Sequence, residues 1–173
     1  MVAARKLQEA VGVFAVTAMA LAVTSTAAAQ GTQLASSPVP TVRSVPSSPT
    51  VEDAKRLFDE GRWKDARRMY DEIAQRAIEE NVYEPKAFEG RAQLQYVTED
   101  VRGAAKTYAQ LAEQASKYGD PETELQAHFK AALLFQEVRD YRNQSIHIPR
   151  IKALLKSPVI AQETRAAIAK RVA

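Results

Sequence analysis

From Thr50 onward the apolar residues recur at alternating spacings of three and four, the period of one face of an α-helix. Trp63, Ala66, Tyr70, Ile73 and Ala77 form one such column. Val101, Ala104, Tyr108, Leu111 and Ala115 repeat it 38 residues later, and Tyr141, Gln144, Ile148, Ile151 and Leu155 repeat it after a further 40. Twelve residues before the second member of each column stands an alanine, namely Ala54, Ala92 and Ala132. A side chain that ends at Cβ lets a neighbouring helix come close, and an aromatic about one helix later fills the space beside it. Each column therefore marks the second helix of a pair and each of these alanines the first. No segment alternates with a period of two, so the pattern predicts an all-α fold.

The punctuation agrees. Gly119 followed by Asp120-Pro121-Glu122 is a helix stop, a cap, a first-turn proline and an acid near the positive helix end. Ser157-Pro158 repeats the start signal, which predicts a final helix from Pro158 to Val172 with Val159, Ile160, Ala167, Ile168 and Val172 on or near one stripe. Its expected role is to cover the apolar face left by the last pair. Pro149 is expected to interrupt the second helix of the third pair, since an interior proline removes a hydrogen bond and crowds the preceding turn.

Ala54 with Gly61-Arg62-Trp63-Lys64-Asp65-Ala66 and Tyr70, and Ala92 with Val101, Ala104 and Tyr108, resemble the tetratricopeptide repeat family. The resemblance covers about residues 48–156. The third unit departs from it: Gln144 stands where alanine is usual and Ile148 replaces the aromatic. The family's usual unit is also shorter than these offsets, so the repeats are divergent. The resemblance implies an α-solenoid of stacked antiparallel helical hairpins over residues 50–173, with about three repeats and a C-terminal capping helix. A plain helical bundle is the alternative architecture. In the family the first helices line a concave groove. Carried onto this chain, that groove presents Lys55, Phe58 and Asp59 from the first unit, Lys86, Glu89, Gln93 and Tyr96 from the second, and Gln126, Phe129 and Glu137 from the third. Mixed charge with three aromatics suits an extended or helical peptide, while the same aromatics read equally well as core. The family's two-lysine, two-asparagine grip on a terminal carboxylate is not matched, because Val51, Gly90 and Gln126 occupy three of its positions.

The first 49 residues have another character. Arg5 and Lys6 precede an uncharged run over residues 11–23, and Ala27-Ala28-Ala29 follow. That order is a secretory signal, expected to be cleaved after Ala29; an uncleaved anchor is the competing reading. Residues 30–49 hold Pro38, Pro40, Pro46 and Pro49, five serines and one charge, Arg43, the composition of an extended, disordered tether. The expected address is the bacterial periplasm or the medium, with no stable membrane insertion once the signal is removed.

Composition narrows the chemistry. The chain has 173 residues, 24 Lys and Arg against 21 Asp and Glu, two His and no Cys. Without cysteine there is no disulfide, thiol nucleophile or thiolate zinc site. None of the six glycines falls in a phosphate-cradling motif, and no serine lies in a nucleophile turn. His128 and His147 stand apart in sequence with no ligand-type spacing, and read as packed helix residues. Neighbouring carboxylates such as Asp71-Glu72 diverge around a helix and do not converge on one bond. No catalytic set, cofactor or metal is therefore expected, and the chain reads as a non-enzyme. Charge is unevenly placed. Residues 51–140 hold 14 basic and 19 acidic side chains, whereas residues 141–173 hold seven basic ones against Glu163 alone. Those seven, Arg142, Arg150, Lys152, Lys156, Arg165, Lys170 and Arg171, could meet an anionic envelope surface or the acidic end of a second copy, or could simply aid solubility. Nucleic acid is disfavoured, because no aromatics are interleaved with them. The expected partner is a protein or peptide, with a homo-oligomer or anionic docking as the alternative.

Overall fold

The computed structural model describes residues 48–172, and within them the fold is all-α. The stretch expected to be a signal, residues 1–29, and residues 30–47 of the expected tether lie outside the described residues. Seven helices are present among the described residues: α1 (Val51–Asp59), α2 (Trp63–Glu79), α3 (Pro85–Val97), α4 (Val101–Tyr118), α5 (Pro121–Glu137), α6 (Tyr141–Leu154) and α7 (Gln162–Val172). Each helix from α1 to α5 packs on the next, and α1 also touches α3. No helix among the described residues is long and apolar enough to cross a membrane.

The described end of the tether is tied down. Thr50 caps α1 by accepting from the Asp53 N–H over 3.2 Å, and the carbonyl of Pro49 accepts from the Arg76 guanidinium over 2.8 Å.

The turns repeat as the sequence does. Gly61, Glu99 and Arg139, spaced by the same 38 and 40 residues, join the helices of successive pairs in the left-handed region, with φ of 76°, 66° and 57°. At each, the following N–H reaches back five residues: Arg62 to Leu57 over 2.9 Å, Asp100 to Gln95 over 2.8 Å, Asp140 to Phe135 over 2.8 Å. Asn81 and Gly119 do the same between pairs, with φ of 54° and 70°, sending the N–H of Val82 to Ala77 and that of Asp120 to Ala115. This hydrogen-bonded helix ending satisfies terminal carbonyls and reverses the chain in few residues. After Gly61, Glu99, Gly119 and Arg139 the next helix starts two residues on, capped in three cases by an aspartate: Asp100, Asp120 and Asp140 accept from the N–H of Gly103, Thr123 and Asn143. The two turns between pairs are clasped together. Tyr83 donates to Asp120 over 2.8 Å and stacks on Tyr118, and the Tyr118 hydroxyl donates to the Asn81 carbonyl. Burial first, and then Asp120, push the Tyr83 hydroxyl up to about 12.

Two apolar clusters make the core. The first runs from Ala54 and Leu57 of α1 to Leu134 and Phe135 of α5, and holds Tyr70, Phe88, Ala92, Tyr108 and Leu111. The second joins Leu125, Phe129 and Ala132 of α5 to Ile151 and Leu154 of α6 and to Ile160 and Ile168. Helix α5 thus lies between the two clusters and is apolar on both sides.

The alanines behave as the pattern predicts: Ala54 and Ala92 have no exposed surface and Ala132 has 4%. Four of the five members are buried in each of the first two columns, Trp63 and Val101 lying further out. In the third column only Ile151 is buried, because Gln144 and Ile148 replace the alanine and tyrosine that draw the earlier pairs together.

Two expectations need correcting. Pro149 does not interrupt α6, which runs through it to Leu154; its ring lies on the exposed side, and α6 still packs through His147, Ile151 and Leu154. The last helix starts at Gln162 and not at Pro158. Residues 158–160 form a turn that buries Ile160 and leaves Val159 76% exposed, so Thr164 and Ile168 carry the inward face of α7 and Ala167 points outward.

Candidate functional site

The first helices of the three pairs, α1, α3 and α5, carry the residues that the sequence places on a common face. On α1, Lys55 and Asp59 are exposed and paired with each other over 2.5 Å, one turn apart, with Phe58 half-buried against the first core beside them. On α3, Lys86, Glu89, Gln93 and Tyr96 lie at spacings of three and four on one stripe; Lys86 is exposed and the other three are half-buried. Tyr96 packs against the first core, and burial followed by the charge of Glu137 raises its hydroxyl pKa. On α5, Gln126 is half-buried and Glu137 exposed.

Phe129 is the exception and a correction. It is only 9% exposed and belongs to the second core cluster, under α7. The side chain that joins α5 to the α3 stripe is Lys130, which the sequence reading did not single out. Its Nζ lies 3.8 Å from Glu89 and 5.1 Å from the centroid of the Tyr108 ring. Burial and then Glu89 push the Tyr108 hydroxyl well above its ordinary range. The register contains the missing signal, since Lys130 stands 40 residues after Gly90, where the Tyr70 ring packs instead. On α3 and α5 the half-buried Tyr96 thus shares its surroundings with Glu89, Lys130 and Glu137, while Phe58 is half-buried on α1. Such side chains can pair with charged groups and cover an apolar side chain.

A second feature lies where the third pair meets α7. Phe129, Ala132, Leu133, Gln136, Gln144, Ile148, Ile151 and Arg171 line an open cavity of about 190 Å³. It occurs where Ile148 replaces the tyrosine of the earlier pairs.

The histidines, isolated in sequence, meet in space. His128 Nδ1 and His147 Nδ1 are 2.8 Å apart across α5 and α6, so each is indeed packed, but against the other. His147 is 6% exposed and stacks on Phe135, ring centroids 5.7 Å apart. Beside them Glu124, buried at 4%, accepts from Arg150 over 2.5 Å, and Glu122 accepts from Thr164 of α7 over 2.8 Å. Among the described residues no group of three or more His, Asp or Glu is placed to hold a metal ion.

Of the seven cations toward the C-terminal end, Arg150 is engaged by Glu124 and Arg165 is half-buried. Arg142, Lys152, Lys156, Lys170 and Arg171 are exposed. Compared with protein-family models, curated proteins and solved structures, the chain matches none.

Proposed function

We propose that residues 50–173 are a divergent tetratricopeptide-like stack of helical pairs, three repeats with α7 as cap, serving as an exported, non-enzymatic scaffold that binds a protein or peptide in the cell envelope. The repeated left-handed turn at Gly61, Glu99 and Arg139, in step with the buried Ala54, Ala92 and Ala132, supports the stacked architecture. The observation that supports binding is on α3 and α5, where Tyr96 is half-buried and Lys130 pairs with Glu89; Phe58, half-buried on α1, is taken in this reading as part of the same face. Such a surface gives a peptide an apolar anchor and a polar rim, the distribution in which a few anchors supply most of the affinity. In this reading residues 1–29 direct export and the proline-rich stretch gives the module reach.

The test is capture from a peptide library by the mature chain. Lys86→Ala and Tyr96→Ala should each weaken the captured peptide at least tenfold with helicity intact, melting unchanged for Lys86→Ala and lowered for Tyr96→Ala, whose ring packs on the core. Undiminished capture by both variants removes the face from consideration.

The five exposed cations other than Arg150, which pairs with Glu124, favour one alternative, docking on anionic envelope polymer. Binding to anionic vesicles that disappears in high salt supports it, because exposed charges are screened within about 8 Å at physiological ionic strength. A size-exclusion mass that doubles at micromolar concentration points instead to self-association.

A further inference from the structure

The contact between His128 and His147 constrains protonation by its geometry. Two Nδ1 atoms at 2.8 Å bond only if one carries hydrogen and the other offers a lone pair. His128 Nε2 faces Glu124 Oε1 at 3.7 Å, which favours hydrogen on that nitrogen and leaves His128 Nδ1 as the acceptor and His147 Nδ1–H as the donor. A single added proton keeps a donor opposite an acceptor but places a charge beside Phe135, in a site that is almost closed to water. A second proton leaves two N–H groups pointed at each other, which no tautomer relieves.

The surroundings offer one compensating charge, and it is already engaged. Glu124 on α5 accepts from Arg150 of α6, and Arg150 is also 3.5 Å from the Ser116 hydroxyl of α4. The charges that act on His128 are those of His147, Glu124 and Arg150; the first and last oppose its protonation and Glu124 favours it. Helix α7 contributes an uncharged group to this end of α5, the Thr164 hydroxyl on Glu122.

We propose that His128 and His147 form an acid-operated latch on the third helical pair: neutral, they hold α6 to α5, and proton-loaded, they release α6 and with it the cover over Leu125, Phe129 and Ala132. The released face is apolar, so opening would expose a surface that is closed at neutral pH. The latch does not depend on what the domain binds.

Both imidazoles are shifted in the direction the latch requires. Burial first, then the neighbouring His147 charge, pull His128 down from 6.5 to about 4, and burial lowers His147 as well. The folded state therefore binds fewer protons than the unfolded chain between these values, so the contribution is complete above pH 6.5 and is lost as pH falls toward 4. These are the chain's two histidines, and the carboxylates Asp53 and Asp140, whose pKa values are lowered below 3.8 by the Thr50 and Asn143 hydrogen bonds, are lost only at more acid pH.

The experiment follows amide hydrogen exchange of the full chain from pH 7 to pH 4.5, corrected for intrinsic rates, together with the imidazole NMR titration. Protection of α6 and α7 should fall at least tenfold while that of α3 holds, and His128 should titrate well below 6. A variant without imidazoles, His128→Gln with His147→Phe, should lose the acid response; should it not fold, His128→Gln alone, which leaves one buried imidazole, should weaken the response, and an undiminished response there also overturns the latch. Unchanged α6 protection in the wild type, or the same loss in the imidazole-free chain, overturns the latch.

Discussion

The Thr107 hydroxyl donates to Gln95 Oε1 over 2.7 Å in the interior between α3 and α4. Position for position this pair corresponds to Leu57 with Met69 in the first helical pair and to Phe135 with His147 in the third. One place in the fold is thus filled by an apolar couple, a hydrogen-bonded couple and a stacked ring couple. Removing half of the polar couple should cost more than removing both halves. Thr107→Val strands a buried amide oxygen and is expected to lower stability by about 1 to 3 kcal/mol. Gln95→Leu with Thr107→Met, copying the first pair, should return to within about 1 kcal/mol of wild type, because both partners are then apolar. Urea melts of the three chains give the comparison.

The Tyr70 ring lies so close to Gly90 that a Cβ there would overlap it. In an exposed helix alanine is better than glycine by about 1 kcal/mol. Here the ring is buried, at 4% exposure, and has little room to move. Gly90→Ala is therefore expected to destabilise by about 1 to 3 kcal/mol in spite of its propensity. In a Tyr70→Leu background the same change should become neutral or favourable. Equal effects in the two backgrounds in thermal melts would show that the contact carries no strain.

Much of this was legible because the repeat is written in residues that physics restricts. Ala54, Ala66, Ala92 and Ala104 are fully buried, and their spacing was enough to place the first four helices. Gly119 with Asp120-Pro121 marked its turn for similar reasons. The sequence was less informative where a residue's surroundings come from afar. Phe129 looked like a groove aromatic because its own helix could not reveal that Ile160 and Ile168 return to cover it. His128 and His147 lie 19 residues apart and share no ligand spacing, so only the pairing of α5 with α6 brings their rings together. Pro149 was misjudged by a local rule that tertiary contacts at Ile151 and Leu154 override. The candidate face was half legible: the stripes followed from periodicity, but Lys130 emerged only through its neighbours Glu89 and Tyr108.

Glu99 and Arg139 adopt the left-handed backbone that Gly61 supplies in the first pair. A Cβ in that region costs about 1 to 2 kcal/mol, and glycine gives part of that back as unfolded-chain entropy. Glu99→Gly is expected to stabilise by about 0.5 to 1 kcal/mol, and Arg139→Gly by a similar amount. Gly61→Ala is the opposing control: no atom would crowd its Cβ, yet its φ of 76° should make it destabilising. Denaturant midpoints that move the same way for Glu99→Gly and Gly61→Ala would refute the conformational account.

Ile148 occupies the place of Tyr70 and Tyr108, and the cavity of about 190 Å³ beside it is bounded by Phe129, Ala132 and Ile151. Filling a void with a side chain in an allowed rotamer commonly adds about 0.5 to 2 kcal/mol. Ile148→Tyr should do so here, with its hydroxyl directed toward the Gln136 and Gln144 amides, which lie 3.4 Å from each other. The same variant separates two places where a partner could insert. If peptide is held on the face of α1, α3 and α5, Ile148→Tyr raises the melting temperature and leaves capture unchanged. If an apolar side chain of the partner enters the space that Ile148 leaves open, the melting temperature rises and capture falls together, because the added ring and the partner compete for one volume.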